Sequence, residues 1–569
     1  MSSAGRAFRF RHALGAVLVV LCWTAAQAAT QVAAQVANSS SAAIASAHPL
    51  ATAAGQSMLA RGGNAFDAAI AVAAALAVVE PYSSGLGGGG FFLLHRANDG
   101  HQVMIDARET APAGILPQHL FDAAGNPLPG ATTRGGTAAA IPGLPAGLEH
   151  LAQRYGSLPM SVTLAPAIRL ASEGFKTDRR YARITQLREA MLRATKETAL
   201  FLDNGRAPVP GYLLRQPDLA LTLERITRGG AAGFYHGPVA EGMVAAVKAA
   251  GGVWQMSDLA AYRVVERVPV RFSYRGARIT AAALPSAGGI ALAQALGMLE
   301  QFPAGDVQDP EYAHLVAEVM RRAFRDRIQL GDPDQTPIPV AELLKKDKLN
   351  QYVTEIRRDK ATPLPPPAAT GAGAGSVNTT HFSIVDAAGN RVAATLTINL
   401  LFGSGIVGRG TGVLLNNEMD DFTLRADVAN SFQLRGGTAN SVAPGKRPLS
   451  SMTPTFVEDD KGVLILGAPG GSRIISQVLL ATIEYLRNPR VDLPQLVAMP
   501  RYHHQYWPDR IEIEPEGFSA AWRSALESKG HQLRAANRKW GNLQAVFQPR
   551  GGGAAQAAND PRGGDVAWY

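Results

Sequence analysis

Four consecutive residues, Asn378-Thr379-Thr380-His381, stand where a chain-breaking segment meets a strand-like one. Residues 362–376 upstream are dominated by proline, glycine and alanine, too rich in breakers for a helix or a central strand. Downstream, residues 381–385 and 391–399 flank the turn-forming Asp386-Ala-Ala-Gly-Asn390, which reads as a β-hairpin. A threonine at such a junction is where a chain can be severed to expose a new N-terminus. It would then carry a hydroxyl nucleophile and its own amine base on one Cα.

The surrounding residues fit that chemistry to different degrees. A hairpin centred near Ala388 sets Thr379 opposite Thr397. Period-two alternation puts Thr395, Thr397 and Asn399 on one face and Ala394, Leu396 and Ile398 on the other, a pattern a solvent-facing strand also shows. The loop Gly467-Ala-Pro-Gly-Gly-Ser472 leads into a helix, so the N–H groups around Gly470 and Gly471 suit an anion or oxyanion site. Asn416-Asn-Glu-Met-Asp-Asp421 reads as a surface turn, a calcium loop without EF-hand spacing, or a receptor for an ammonium group. Gly85-Leu-Gly-Gly-Gly-Gly90 matches the dinucleotide pattern formally. A helix precedes it and a strand follows, the reverse of what a nucleotide site needs, so a tight turn with close backbone approach is expected. His503 and His504 are adjacent, and no Cys or His-x-x-His array accompanies them. Structural histidines are expected, with neither metal nor cofactor.

The elements that must hold these groups are mixed. Residues 50–60 and 67–79 read as helices, the second buried on most faces and ended by Pro81. Strands follow at 91–95 and 103–106. Helical periodicity returns at 161–175, 217–250, 311–327 and 472–486, with strands near 268–279. The basic run 321–327 reads as a solvated or ion-paired face. These alternations point to a layered α/β body, and because strands lie on both sides of the 359–378 tether, the cut falls inside one fold.

Arg6, Arg9 and Arg11, an apolar core and Ala26-Gln27-Ala28 make residues 1–28 a secretory signal peptide too short to span a bilayer comfortably. Cys22, the only cysteine of the 569 residues, lies within it, so a disulfide-free exported protein, periplasmic or secreted, is expected. The formal charge of +9 comes without a Lys/Arg block or interleaved aromatics, which argues against nucleic acid as a partner. No second long apolar segment suggests a membrane span in the mature chain.

These residues fall in blocks that resemble the γ-glutamyltranspeptidases of the N-terminal-nucleophile hydrolases. The blocks include Gly62-Gly-Asn-Ala-Phe-Asp-Ala-Ala69, Glu80 to Gly90, Asp106-Ala-Arg-Glu109, Thr379-Thr-His-Phe-Ser383, Leu415 to Phe422, Arg447-Pro-Leu-Ser-Ser-Met452, Pro469-Gly-Gly-Ser-Arg473 and Pro500 to Gln505. The resemblance implies a four-layer αββα sandwich formed jointly by two fragments, a large one of residues 29–378 and a small catalytic one of residues 379–569. It implies self-cleavage between Asn378 and Thr379, with Thr379 as nucleophile and Thr397 bonded to its hydroxyl. It assigns Arg108, Ser450 and Ser451 to the α-carboxylate of a γ-glutamyl group, and Asn399, Glu418 and Asp421 to its α-ammonium. Gly470 and Gly471 become the oxyanion donors. The implied substrates are glutathione and other γ-glutamyl compounds, with water, amino acids or dipeptides as acceptors. This chain departs from the pattern at Phe432, where many bacterial members have Tyr, and at Glu418, where others have Gln. Two other readings compete: a glutaryl (cephalosporin) acylase-like member, against which the Glu418/Asp421 pair speaks, and a binding relative that never matures.

Overall fold

The computed structural model describes residues 42–364, 378–490 and 492–563. The expected signal segment 1–28 with Cys22, and tether residues 365–377, lie outside the described residues. Two six-stranded sheets form the centre. In the first, the order is Ala43–Ser46, Thr380–Val385, Arg391–Thr397, Gly89–Arg96, His101–Ala107, Val265–Arg267. In the second it is Gln556–Asn559, Gln544–Pro549, Gly462–Gly467, Thr455–Glu458, Ala277–Ala281, Val270–Tyr274. Every pairing in both is antiparallel.

Three apolar layers hold the sheets in register with their helices. Between the sheets, Phe91, Leu93, Met104 and Ala393 of the first meet Phe456, Ile465 and Val546 of the second. The outer face of the first sheet packs Phe92, Phe382, Val392 and Leu396 against helices Pro49–Ala60 and Ala65–Val79. The second sheet packs Ile279, Val457 and Leu464 against Gly288–Leu299, Pro310–Arg327 and Arg473–Arg487. This is the expected αββα stack. Each fully buried Leu, Ile, Val or Phe contributes about 1.5–3 kcal/mol, so these layers are the main source of stability.

The element nearest the nucleophile is built from its sequence outward. Helix Ala65–Val79 starts at Asn64, whose side chain accepts from the Phe66 and Asp67 N–H groups while Asp67 accepts from the Asn64 N–H. It is buried on every face, which its Ala/Val/Ile composition permits. It ends at Glu80, and the glycine run then carries the chain beneath the hairpin. A Cβ at Gly88 would strike the Thr397 carbonyl, and one at Gly90 the Thr395 carbonyl. Close backbone approach therefore requires glycine at both positions, as the inverted order of helix and strand implies.

Two segments read as continuous helices are broken. Residues 161–175 divide into Met160–Thr163 and Ala165–Glu173. Residues 217–250 divide into Pro217–Gly229, Ala232–Tyr235 and Gly237–Ala249, with Gly230 and Gly237 at positive φ of 61° and 62°. Within the basic run, Arg321 and Arg322 are ion-paired rather than solvated, whereas the Arg325 side chain stays 36% exposed. Arg321 and Arg322 are buried and bond Glu318 at 3.2 and 2.8 Å, because the helix they share is covered on both sides.

Candidate active site

The hairpin register sets the position of Thr379. Thr380 pairs with Leu396 and His381 with Thr395, so one step further Thr379 faces Thr397. Their hydroxyl oxygens are 3.3 Å apart, and both residues are buried. The Asn399 N–H donates to Thr397 Oγ1 at 2.8 Å. The Thr379 hydroxyl also lies against the carbonyl oxygen of the preceding residue, Asn378. Ser83 fixes that residue by donating to Asn378 Oδ1 at 2.8 Å, and Thr380 donates to Glu80 at 2.8 Å. Glu80 in turn is held by Arg180 at 2.7 Å. The helix end and glycine turn thus anchor both residues that flank Thr379.

His381, two residues on, is not the base. Its ring bonds Thr395 Oγ1 at 2.8 Å and Ser383 Oγ at 3.2 Å within the sheet. Burial pushes its pKa down to about 3, so it is neutral and very weakly basic at physiological pH. The structural role expected for His503 and His504 fits their surroundings: His503 contacts Ser476 and Gln505, and His504 contacts Asp509. Among the described residues no group of three His, Cys, Asp or Glu side chains is arranged to hold a metal ion.

A small cavity of about 20 Å³ opens beside the two threonines. Its wall brings together Thr379, Thr397, Asn399, Glu418, Asp421, Ser450, Ser451 and Gly471, residues far apart in sequence. The segment 416–421 is no surface turn: Glu418–Asp421 is a 3₁₀ turn with Glu418 buried, because Asn416 ties it to the Gly87 and Ala140 carbonyls, at 2.7 Å each. Arg108 lies behind this wall, fully buried. Its Nη1 donates to Glu418, its Nη2 to Asp421, and its Nε to the Pro448 carbonyl at 3.2 Å. The cation assigned to one end of a zwitterion is therefore bonded to the carboxylates assigned to the other.

The electrostatics leave some groups ready for a ligand. Burial, opposed by Arg108, raises the Glu418 carboxyl well above its ordinary range. Among the described residues Glu418 Oε2 and Ser451 Oγ are buried without a hydrogen-bond partner. Gly471 lines the cavity with φ of 57°, and Gly470 adjoins it with φ of 135°, just ahead of helix Arg473–Arg487. Their N–H groups are not used by other described residues, as an anion site at a helix N-terminus requires. The Phe432 ring packs on Gly471, where a Cβ would come within 2.6 Å of it. Asn430 holds that segment by accepting from the Phe432 and Leu434 N–H groups, at 3.0 and 3.1 Å.

A buried threonine hydroxyl flanked by a second hydroxyl, in a cavity lined by carboxylates, serines and a glycine, suits acyl transfer from a small charged donor. The family model described as "Gamma-glutamyltranspeptidase" matches residues 51–569. The chain belongs to the gamma-glutamyltranspeptidase family. It is 38% identical over 532 residues to the "Glutathione hydrolase proenzyme" of Escherichia coli, covering 92% of this chain and 90% of that relative. It is 39% identical over 517 residues to the protein of that name in Pseudomonas aeruginosa, covering 90% and 91%. Among solved structures it is similar to a cephalosporin acylase from Bacillus halodurans, with TM-score 0.81 and 27% identity over 94% of this chain and 97% of that one. It is also similar to the gamma-glutamyltranspeptidase of Helicobacter pylori, with TM-score 0.54 and 38% identity over 56% of this chain and 92% of that one.

For a gamma-glutamyltranspeptidase, three residues near the site escape the sequence reading. Arg327 ends the Pro310–Arg327 helix and lines the cavity. Among the described residues its Nε has no partner, and burial holds its pKa down to about 10, with Asp421 opposing. The signal was present: Arg321 and Arg322 have Glu318 three and four positions behind, whereas Arg327 has Phe324 and Ala323. Ser83 and Glu109 are the others. Glu109 is buried 3.6 Å from Arg108, and burial raises its pKa to about 7.

Proposed function

We propose that this chain is an exported precursor that cuts itself between Asn378 and Thr379 and then transfers γ-glutamyl groups from glutathione and related compounds to water or an acceptor amine. The observation that carries the reading is the position of the Thr379 hydroxyl, against the Asn378 carbonyl and 3.3 Å from Thr397 Oγ1. In the first step Thr379 Oγ1 attacks the Asn378 carbonyl carbon, the C–N bond breaks, and the hydroxyl proton passes to the departing amine. Water then hydrolyses the resulting ester, leaving an Asn378 carboxylate and a Thr379 with free amine and hydroxyl.

In turnover the Thr379 amine, with an ordinary pKa of about 7.7–8.0, takes the hydroxyl proton as Oγ1 attacks the γ-carbonyl. The N–H groups of Gly470 and Gly471 receive the oxyanion. The protonated amine passes its proton to the leaving amine, and water or an acceptor amine resolves the γ-glutamyl ester by the reverse course. The donor's α-carboxylate bonds Arg108, Ser450 and Ser451, and its α-ammonium bonds Asn399, Glu418 and Asp421. Because Arg108 already holds Glu418 and Asp421, a zwitterion enters by exchanging partners within a neutralised cluster: its carboxylate takes the guanidinium, and its ammonium takes the released side chains.

The large and small fragments stay together as a heterodimer, delivered to the periplasm or medium by residues 1–28. The likeness to a cephalosporin acylase favours a second reading, a glutaryl donor. The two carboxylates count against it, since a glutaryl group has no ammonium for them. Wild-type protein is expected to give two bands on a denaturing gel, with Thr379 first in the smaller, and to release chromophore from a γ-glutamyl anilide. Release from a glutaryl anilide alone would favour the acylase, and a single uncut, inactive chain would favour the non-maturing relative.

A further inference from the structure

Residues 80–83 hold the chain on both sides of Thr379, and the two contacts they make have different fates. This segment is the turn that ends helix Ala65–Val79, closed by the Ser83 N–H donating to the Glu80 carbonyl at 2.8 Å. Glu80 accepts from the Thr380 hydroxyl, pairs with Arg180, and accepts from the Tyr82 hydroxyl at 3.3 Å. Ser83 donates to Asn378 Oδ1 at 2.8 Å. The Ser83 carbonyl accepts from the Ile398 N–H at 3.2 Å, one residue beyond Thr397. A single turn therefore touches the residue before Thr379, the residue after it, and the strand end that carries its hydroxyl partner.

The junction needs such holding. Thr379 lies at φ of 156°, a value rare for residues other than glycine, and such a backbone persists only where its surroundings over-determine it. Asn378 is 3% exposed, and among the described residues its Nδ2 is buried without a hydrogen-bond partner. The bond from Ser83 is thus the one that fixes its carboxamide among those residues.

We propose that Ser83 is a positioning residue for self-cleavage and not for turnover. The inference rests on the self-processing reading above. Ser83 touches none of the reacting atoms. It holds the Asn378 carboxamide and, through that residue's own backbone, the carbonyl that Thr379 Oγ1 attacks. Once the bond between Asn378 and Thr379 is broken, Ser83 and Asn378 belong to the same fragment, and their contact no longer reaches Thr379. The bond from Thr380 to Glu80 then runs between fragments and goes on holding the strand of the nucleophile. The first contact serves one event, the second every turnover.

The test follows full-length chain made by cell-free translation on a denaturing gel, then measures γ-glutamyl anilide turnover by the matured product. Wild type should divide between Asn378 and Thr379. Ser83→Ala should lengthen the precursor half-life about tenfold, the effect of losing a hydrogen bond whose buried acceptor is then stranded. Its matured form should keep kcat within twofold of wild type, and Ser83→Thr, which retains the hydroxyl, should cut at close to the wild-type rate. Asn378→Ala removes the other partner and should slow cleavage alike, so it carries the test if Ser83→Ala fails to fold. Where both fold, the double variant should be no slower than the slower single one. A Ser83→Ala half-life within twofold of wild type overturns the positioning role, as does a loss of kcat in the matured enzyme equal to the loss in cleavage. Wild type that stays whole, or divides elsewhere, overturns the self-processing reading instead.

Discussion

Replacing Thr397 by Val tests the hydroxyl pair with almost no change of shape. The Thr397 oxygen accepts from the Asn399 N–H at 2.8 Å, and its single proton is then available to the Thr379 oxygen 3.3 Å away. In the proposed mechanism Thr397 donates to Thr379 Oγ1 and stabilises negative charge on it as its proton leaves. Valine removes that donor and strands a buried N–H. A hydrogen bond to a charged partner is worth about 1.5–3 kcal/mol, which predicts a loss of roughly ten- to a hundredfold in rate. The stranded N–H adds a stability penalty of about 1–3 kcal/mol. Both self-cleavage, followed as the disappearance of the precursor band, and anilide turnover by whatever matures should slow together. Thr397→Ser keeps the hydroxyl and should retain most of both rates. Cleavage and turnover within twofold of wild type in the valine variant would refute the assigned role.

Other outcomes follow from neighbouring contacts. Thr379→Ala should remain a single uncut chain without turnover, read on the same gel. Arg108→Ala should destabilise the fold by about 3–5 kcal/mol in chemical denaturation as well as weaken donor binding, because it leaves the buried Glu418 and the part-buried Asp421 without their shared cation. Turnover should rise with pH as the Thr379 ammonium loses its proton, around the ordinary α-amino value of about 7.7–8.0. Glu109, raised from 4.5 to about 7, stabilises the fold below its unfolded pKa and loses that contribution as pH rises to about 7. Glu109→Gln should flatten this decline in Tm between those pH values.

The hairpin was fully legible because a period of two and a five-residue turn leave one register, and that register places Thr379 opposite Thr397. The glycine run was legible through the order of its flanking elements, and the buried helix at 67–79 through composition. The pocket was not legible from local pattern. Arg108, Asn399, Glu418 and Ser451 come from separate loops whose meeting depends on tertiary packing, so only family resemblance named them in advance. The breaks at Gly230 and Gly237 were missed because the apolar period continues across them while the backbone turns to positive φ. Arg327 was missed because a basic run suggests solvent, whereas both flanks of its helix are covered.

The sheet order explains how the proposed cut at the centre of the fold would be tolerated. Strand Thr380–Val385 lies between Ala43–Ser46 and Arg391–Thr397, so the new N-terminus is flanked by one strand from each side of the break. Both sheets mix strands from before and after the tether, and the layer between them joins Ala45, Phe91 and Ala282 to Val385, Phe456 and Val546. Separating the fragments would expose all three apolar layers, whereas severing one peptide bond at the end of a strand exposes none. Thr379 is buried at the cavity wall, so an amine released there by the proposed cut would be enclosed by the same layers that hold the halves together.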